Sequence, residues 1–267
     1  MIIFPNAKIN IGLNILNRRL DGYHNLETVF YPIAIRDALE VIEADRLSFT
    51  SSGLAIPGDP DDNLCLKAYH LISEDMKLPP VHIHLHKHIP IGAGLGGGSA
   101  DAAFFIKLIN DKLSLNFDVA QMENYASRLG SDCAFFIRNQ PIFAFEKGDK
   151  FQAVSIDLSK HYIILVMPSI QVSTAEAYMG VKAASVTQSL EELVKLPIKD
   201  WRYSITNDFE SSIFTKYPSI GLIKSALYDA GAYYVSMSGS GSSVYGIFKE
   251  EIKLPDLERN NQVFYGV

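Results

Sequence analysis

The sequence has few cysteines, no long apolar run and no excess of basic residues, and each absence excludes a class of protein. Two cysteines, Cys65 and Cys133, cannot form the disulfide framework of a secreted chain of 267 residues, which favours a reducing compartment. The longest apolar run spans about six residues, far short of the roughly 20 of a membrane helix. With 24 basic and 30 acidic residues the net charge is −6, whereas proteins that bind a nucleic-acid backbone usually carry a positive charge.

The N-terminus lacks the basic and apolar regions of a signal peptide, and no repeat or low-complexity tract follows. The hydrophobic fraction of 48% is ample for a sizeable core. We therefore expect a cytoplasmic protein, a monomer or a homodimer, whose partner is a small-molecule substrate rather than a nucleic acid or a membrane.

The order of periodic segments predicts an α+β fold, because strands come in runs and helices in runs, without the alternation of a doubly wound sheet. Asn63 and Asp118 each precede an apolar helical pattern and are predicted N-caps. Two lobes, residues 1–150 and 151–267, are expected, although composition does not mark the break near residues 148–160. The predicted strands are 7–15, 26–33, 38–42, 47–50, 81–88, 141–145, 151–155, 162–167, 233–237 and 244–248, and the helices begin at Asn63 and span 99–113, 118–128, 174–184, 190–195, 208–216 and 220–229.

A glycine-rich segment joins a predicted strand to an alanine-rich helix, and five of its seven residues from Gly92 to Gly98 are glycine. Glycines let successive backbone N–H groups point at one anion, and the following helix adds the positive end of its dipole. The segment is therefore predicted to bind phosphate. It lacks the Gly-Lys-Ser/Thr end of the P-loop and the βαβ unit of a dinucleotide site. The alternative is a flexible linker.

Four motifs, in order, carry a resemblance to a known superfamily. The segment from Pro90 to Ala103 resembles the nucleotide-binding motif of the galactokinase, homoserine kinase, mevalonate kinase and phosphomevalonate kinase superfamily. The motifs at Ala7–Asn10, Arg19–His24 and Met237–Gly241 narrow the match, and the resemblance spans residues 7 to about 248. Together they are similar to the kinases that phosphorylate the 2-hydroxyl of 4-diphosphocytidyl-2-C-methyl-D-erythritol in the non-mevalonate isoprenoid pathway.

The resemblance implies a two-lobed small-molecule kinase that uses ATP and Mg²⁺, with the active site in the cleft between the lobes. Ser99 is implied to reach the Mg²⁺ through its hydroxyl. Asn63 falls where the superfamily lines its adenine pocket, although the N-cap explains it equally well. The residues expected to bind ATP are Pro90, Gly92, Gly94, Leu95, Gly96, Gly97, Gly98, Ser99, Ala100 and Asn63.

The same resemblance implies two catalytic residues. Lys8 matches the lysine that stabilises the transferring phosphoryl group, with Asn10 as a polar neighbour toward the substrate, although a polar strand face is most often merely solvated. Asp132 matches the general base, in a segment where Ala134 stands for the usual proline. Its alternative role is a helix N-cap, and both roles could hold together.

Tyr23 and His24 match positions that contact the cytosine of the substrate, although an aromatic pair in a turn is often only a surface feature. Tyr178 is either the second wall of that slot or a tyrosine of a helix core. The loop Ser238–Ser242 is implied to pack against the phosphate loop, and its alternative role is a hairpin turn.

Histidines recur at every second position from His82 to His88, which could chelate zinc. Strand alternation points Val81, Ile83 and Leu85 inward, so the histidines are better interpreted as the solvated face. The two cysteines lack a CxxC spacing and are interpreted as small apolar residues of the core.

Two rival functions remain open at this point. One is a kinase of the same superfamily that acts on homoserine or mevalonate, but neither offers a base for the turn at Tyr23 and His24. The other is a non-catalytic nucleotide-binding regulator, which would need neither Lys8 nor Asp132.

Overall fold

The computed structural model describes residues 1–181, 183 and 186–267, and in those residues strands and helices follow in groups, which confirms the α+β class. The strands are β1 (Ile2–Ile3), β2 (Asn6–Arg18), β3 (His24–Arg36), β4 (Ala38–Glu43), β5 (Ser48–Gly53), β6 (Val81–Lys87), β7 (Ile142–Phe145), β8 (Lys150–Ala153), β9 (Tyr162–Pro168), β10 (Tyr234–Met237), β11 (Val244–Phe248) and β12 (Asn261–Tyr265). The helices are α1 (Leu64–Asp75), α2 (Gly97–Leu113), α3 (Val119–Leu129), α4 (Phe135–Arg138), α5 (Thr174–Met179), α6 (Leu190–Leu193), α7 (Glu210–Lys216), α8 (Pro218–Asp229) and α9 (Pro255–Glu258), with 3₁₀ turns at Pro60–Asp62 and Ile198–Tyr203.

The chain forms two compact units that interleave along the sequence. The first unit comprises Met1–Ala7, Ile35–Ile91 and Gly96–Gln140, and the second comprises Lys8–Ala34, Gly92–Leu95 and Pro141–Val267. This division differs from the single break near residue 150 that the sequence suggested. The reason is strand pairing, because β3 lies antiparallel to β7, and most of β2 and β3 therefore belongs with the later half of the chain.

The first unit has a four-stranded sheet in the order β1-β4-β6-β5. β4 is antiparallel to β6, with Leu39 opposite Leu85, and β5 is parallel to β6. One face of β6 is buried, and α2 lies among α1, α3, α4 and β4 with its alanines and phenylalanines in the core. Because the strand residues alternate between the two faces of the sheet, their apolar side chains lie on the face that packs against this central helix.

Two helix starts in this unit confirm the predicted N-caps. The Asn63 side chain accepts from the backbone N–H of Cys65 at 2.9 Å. Asp118 and Gln121 form a reciprocal capping box with donor–acceptor distances of 2.8 and 2.9 Å. Each bond satisfies a backbone donor that the first turn of a helix leaves without a partner.

The second unit has two four-stranded sheets, in the orders β2-β3-β7-β8 and β10-β11-β9-β12. α8 packs on β10 and β11, and its residues Ile220, Ile223 and Leu227 join a core with Ile164 and Val235. Neighbouring strands of the second of these sheets pair antiparallel throughout. This core supports the β10–β11 hairpin, whose loop is part of the candidate functional site.

The structure differs from the predicted elements at the end of α5 and at short elements that were not predicted. α5 ends at Met179, with Gly180 as its C-cap, and residues 182 and 184 of the predicted helix over 174–184 lie outside the described residues. The elements that were not predicted include β1, β12 and the four-residue helices α4 and α9, because none of them has a long periodic pattern. In the part of the chain that the structure describes, every helix is too short or too polar to cross a membrane.

Candidate functional site

The glycine-rich segment is an ordered loop, and the alternative of a flexible linker is wrong. Gly92, Gly94 and Gly96 have φ angles of +69°, +77° and +69°, in the left-handed region that favours glycine. A Cβ on Gly94 would lie 1.9 Å from the carbonyl oxygen of Ser238. The close approach of two backbones at this point therefore requires glycine.

The segment leads directly into the N-terminus of α2. The first helical hydrogen bond runs from Ala100 N–H to the Gly96 carbonyl at 2.9 Å, so the N–H groups of Gly97, Gly98 and Ser99 precede it. Gly96 is the N-cap, and no side chain of the described residues caps the helix. Such donors, at the positive end of the dipole, suit an anion.

The residues expected to bind ATP differ in how far they are exposed to solvent. Gly92 and Gly98 are exposed and Gly94, Gly96 and Ser99 are partly buried, whereas the buried members are Pro90, Leu95, Gly97 and Ala100. Contact of any of these residues with ATP stays a prediction.

Lys8 does not lie on a solvated strand face, which corrects that alternative. Its side chain is buried, with 3% of its surface exposed. The ammonium donates to Asn10 Oδ1 at 2.5 Å and to the Gly94 carbonyl at 3.4 Å, and it lies 4.8 Å from the centre of the Phe30 ring. The charge is held in one place by three different groups.

Asn10 is fixed in turn by a network of buried hydrogen bonds. Its amide donates to Thr28 Oγ1 at 2.9 Å, and the Thr28 hydroxyl donates to the Gly12 carbonyl at 2.6 Å. The Asn10 backbone N–H donates to Ser238 Oγ at 3.2 Å, and its carbonyl accepts from Tyr245 at 2.9 Å. The amide oxygen must therefore face Lys8, because the amide nitrogen is engaged on the other side.

The loop Ser238–Ser242 joins β10 to β11, which confirms the hairpin. It also packs against Gly92–Leu95, as the resemblance implied: Ser238 Oγ donates to the Gly94 carbonyl at 2.8 Å, and Ser243 N–H donates to the Ala93 carbonyl at 3.3 Å. The Asn207 amide holds the loop by donating to the carbonyls of Met237 and Gly239.

Asp132 lies in the turn before α4 and is partly exposed. Ser131 Oγ donates to its Oδ1 at 3.3 Å. The N-cap of α4 is Ala134, so the predicted capping role of Asp132 is wrong. Asp132 belongs to the first unit and Lys8 to the second.

The cysteines are buried, in agreement with their interpretation as core residues. Burial raises the pKa of the Cys133 thiol to about 11, and its hydrogen bond with Ser99 lowers that pKa by less. Burial also raises the pKa of Cys65. Both therefore remain thiols at neutral pH.

Two of the three aromatic residues expected to bind the cytosine, His24 and Tyr178, are in contact. The rings of His24 and Tyr178 are stacked, with centres 5.0 Å apart and an interplanar angle of 19°. Tyr178 also packs edge-on against Phe209 and joins the edge of the core, which supports its interpretation as a core tyrosine, whereas its role as a wall of the base slot stays a prediction. Tyr23 is 65% exposed, and Lys147, which the sequence analysis missed, lies 5.5 Å from its ring centre.

A buried cluster of Asp37, Lys87 and Asp101 was not predicted from the sequence. Lys87 Nζ donates to Asp37 Oδ2 at 2.5 Å and to Asp101 Oδ2 at 2.7 Å. Desolvation raises the pKa of Asp101 to about 8, and the Lys87 charge opposes that rise. The sequence did contain a signal for it. Strand alternation points the side chain of Lys87 inward, in the same direction as those of Val81, Ile83 and Leu85.

The histidines of β6 line its outer face, which confirms the solvated-face interpretation. His82, His84 and His86 alternate with hydroxyls of β5 in a ladder of hydrogen bonds: Ser48–His82 2.8 Å, Thr50–His82 3.1 Å, Thr50–His84 2.8 Å, Ser52–His84 3.0 Å and Ser52–His86 3.0 Å. Within the described ranges no three His, Cys, Asp or Glu side chains form a group that could hold a metal ion.

Two sequence patterns of known families match the chain. The GHMP kinases N terminal domain matches residues 63–145, and the GHMP kinases C terminal domain matches residues 180–264. The first covers the glycine-rich loop and Asp132, and the second covers the Ser238–Ser242 loop.

Relatives match over nearly the whole chain. A 4-diphosphocytidyl-2-C-methyl-D-erythritol kinase of Bacteroides thetaiotaomicron is 51% identical over 99% of this chain and 98% of its own length. A protein of the same name from Cytophaga hutchinsonii is 54% identical over 93% of this chain and 92% of its own.

Solved structures match as well. A crystal structure of 4-(cytidine 5'-diphospho)-2C-methyl-D-erythritol kinase superimposes with a TM-score of 0.82 at 26% identity, covering 100% of this chain and 98% of that one. The mevalonate kinase of Methanococcus jannaschii, at a TM-score of 0.71 and 14% identity over 99% of this chain and 97% of its own, shares the fold.

Proposed function

Because the chain belongs to the GHMP kinases, and within them to the 4-diphosphocytidyl-2-C-methyl-D-erythritol kinase family, we propose that it transfers the γ-phosphoryl group of ATP to the 2-hydroxyl of that cytidine diphosphate alcohol. The observation that carries this proposal is the near-full-length match at 51% identity to a kinase of that name. The products are ADP and the 2-phosphate. The enzyme works in the cytoplasm, a location supported by the buried free thiols Cys65 and Cys133.

The ATP phosphates bind at the N-terminus of α2, in this proposal. Support comes from the backbone N–H groups of Gly97, Gly98 and Ser99, which lack helical acceptors and lie at the positive end of the helix dipole. Gly96, in the left-handed conformation, directs the chain into this turn. The adenine is assigned to the region of Asn63, whose side chain also caps α1.

Mg²⁺ fits this site as an ion that the phosphate oxygens hold together with few protein ligands, which is how Mg²⁺ binds in many nucleotide sites. The partly buried hydroxyl of Ser99, in the first turn of α2, is the protein oxygen that we assign to it. When bound, the ion neutralises phosphate charge.

Lys8 stabilises the charge that develops on the transferring phosphoryl group. The support is its burial and its hydrogen bonds with Asn10 and Gly94, which keep the ammonium oriented before the reaction begins. A charge that needs no reorganisation stabilises a transition state most effectively.

Asp132 accepts the proton of the substrate hydroxyl as the phosphoryl group is transferred. The support is that its carboxylate is partly exposed, so that a substrate hydroxyl can reach it from solvent. In the same proposal Tyr23, His24 and Tyr178 bind the cytosine, and the stacked pair of His24 and Tyr178 presents aromatic faces and ring nitrogens suited to a base.

The test is a panel of alcohols with ATP and Mg²⁺. We expect ADP with 4-diphosphocytidyl-2-C-methyl-D-erythritol and none with homoserine or mevalonate, and phosphorus NMR should locate the new phosphate on the 2-oxygen. Tyr178→Ala should raise the KM for the alcohol, whereas the control Tyr203→Ala, at an 81% exposed tyrosine, should not. ADP formation with mevalonate alone would contradict the assignment.

A further inference from the structure

The first turn of α2 lies over a buried ion cluster that the proposed mechanism does not use. We call Asp37, Lys87 and Asp101 the buried triad. Their side chains are 0%, 4% and 4% exposed, and Lys87 Nζ donates to both carboxylates, at 2.5 and 2.7 Å. All three residues belong to the first unit, so the triad is formed within one body.

Asp37 fastens the end of β6. Its Oδ1 accepts from the backbone N–H groups of His88 and Ile89 at 2.6 and 2.8 Å, while its Oδ2 accepts from Lys87. The last residue of β6 and the two residues after it are thereby tied to one carboxylate. This is the point where the chain leaves the sheet for the glycine-rich loop.

Asp101 links α2 to Lys87 by a hydrogen bond. It lies one turn after Gly97, the first residue of the helix, and its Oδ2 accepts from Lys87. Among the described residues its other oxygen, Oδ1, is buried and has no hydrogen-bond partner. The hydrogen bonds of Asp101 therefore lie within the triad, to Lys87 at the end of β6 and to Asp37 beside it.

The helix start rests directly on this lysine. A Cβ on Gly97 would lie 3.0 Å from Lys87 Nζ and 2.9 Å from Ile89 Cγ2. The first turn of α2 thus touches the ammonium and the residue that Asp37 fastens. A shift of Lys87 toward α2 would therefore press on the backbone of that turn.

We propose that Asp101 and Lys87 are positioning residues, which hold the first turn of α2 where its backbone N–H groups bind the ATP phosphates. A buried ion cluster is a weak source of stability, since desolvation offsets its attraction, so its position is better explained by orientation. The inference rests on the proposed kinase function, in which α2 binds ATP.

Three variants test the role. Asp101→Ala removes the hydrogen bond between Lys87 and α2 and leaves the charges of Asp37 and Lys87 paired with each other. We therefore expect the KM for ATP to rise about tenfold or more, with smaller changes in kcat and in the KM for the alcohol. Asp101→Asn keeps one oxygen for Lys87 and should restore the KM for ATP to within about twofold of the wild-type value. Asp118→Ala, which removes the cap of α3, should lower Tm and leave the KM for ATP unchanged.

A KM for ATP in Asp101→Ala that matches that of the Asp118→Ala control would overturn the inference, as would a raised KM in Asp101→Asn. Should Asp101→Ala not fold, Asp101→Leu fills the space and carries the same expectation. The Kd of a non-hydrolysable ATP analogue, measured by calorimetry, separates the two proposals. Absence of turnover with every alcohol would refute the kinase assignment. An unchanged Kd of the analogue in Asp101→Ala would refute only the role of the triad.

Discussion

Gly94→Ala should disturb both stability and catalysis, because Gly94 lies where two backbones touch. The new Cβ would start 1.9 Å from the Ser238 carbonyl oxygen, and real Cβ contacts essentially never fall below 3.0 Å, so the two segments must separate by about 1.1 Å. The φ of +77° adds about 1–2 kcal/mol for an L-residue in the left-handed region.

Gly92→Ala is the matched control. Its φ of +69° imposes the same conformational cost, but a Cβ there would meet no atom of the described residues within 4 Å. We therefore expect Gly94→Ala to lose about 1–3 kcal/mol more than Gly92→Ala in the free energy of unfolding, the usual range for overpacking. Urea denaturation of both variants measures the difference.

Catalysis should separate the same two variants. The Gly94 carbonyl accepts from Ser238 Oγ at 2.8 Å and from Lys8 Nζ at 3.4 Å, so moving it displaces the ammonium. A misplacement of about 1 Å can lower kcat about 100-fold, whereas Gly92→Ala leaves the Gly94 carbonyl in place and should therefore change the KM for ATP more than kcat. Equal losses of stability and equal kcat in the two variants would refute the idea that the contact with Ser238 positions Lys8.

The remaining predictions concern three charged groups. Asp132→Asn should lower kcat about 10²–10⁴-fold with little change in KM, and a normal kcat would remove Asp132 from the mechanism. Lys8→Met should also lower kcat, and the double variant should lose less than the product of the two single losses, as a double-mutant cycle would measure. Burial raises the pKa of Asp101 to about 8, above its unfolded value near 4, so the folded state binds the extra proton between these values. Wild-type stability should therefore fall relative to Asp101→Asn as pH rises from about 4 to about 8, and parallel urea-derived profiles would contradict this.

Local signals in the sequence were sufficient for most of the secondary structure. The alternation in β2 and β6 and the N-caps Asn63 and Asp118 depend on neighbours a few residues away, and the structure confirms them. The ordered glycine-rich loop belongs here too, because left-handed φ angles are a property of glycine itself. Where the local pattern is short, as in α4 and β12, the same reasoning failed.

Tertiary structure alone decided which distant side chains meet. Lys87 pairs with Asp37, 50 residues away, and only burial in a common core makes that pairing necessary, since an ammonium without water needs a carboxylate. Gly94 meets Ser238 across 144 residues because the β10–β11 hairpin returns to the loop. His24 stacks on Tyr178 for a similar reason. Sequence periodicity states which face of an element turns inward, but the identity of the partner depends on how the sheets and helices pack, and that is a property of the whole chain.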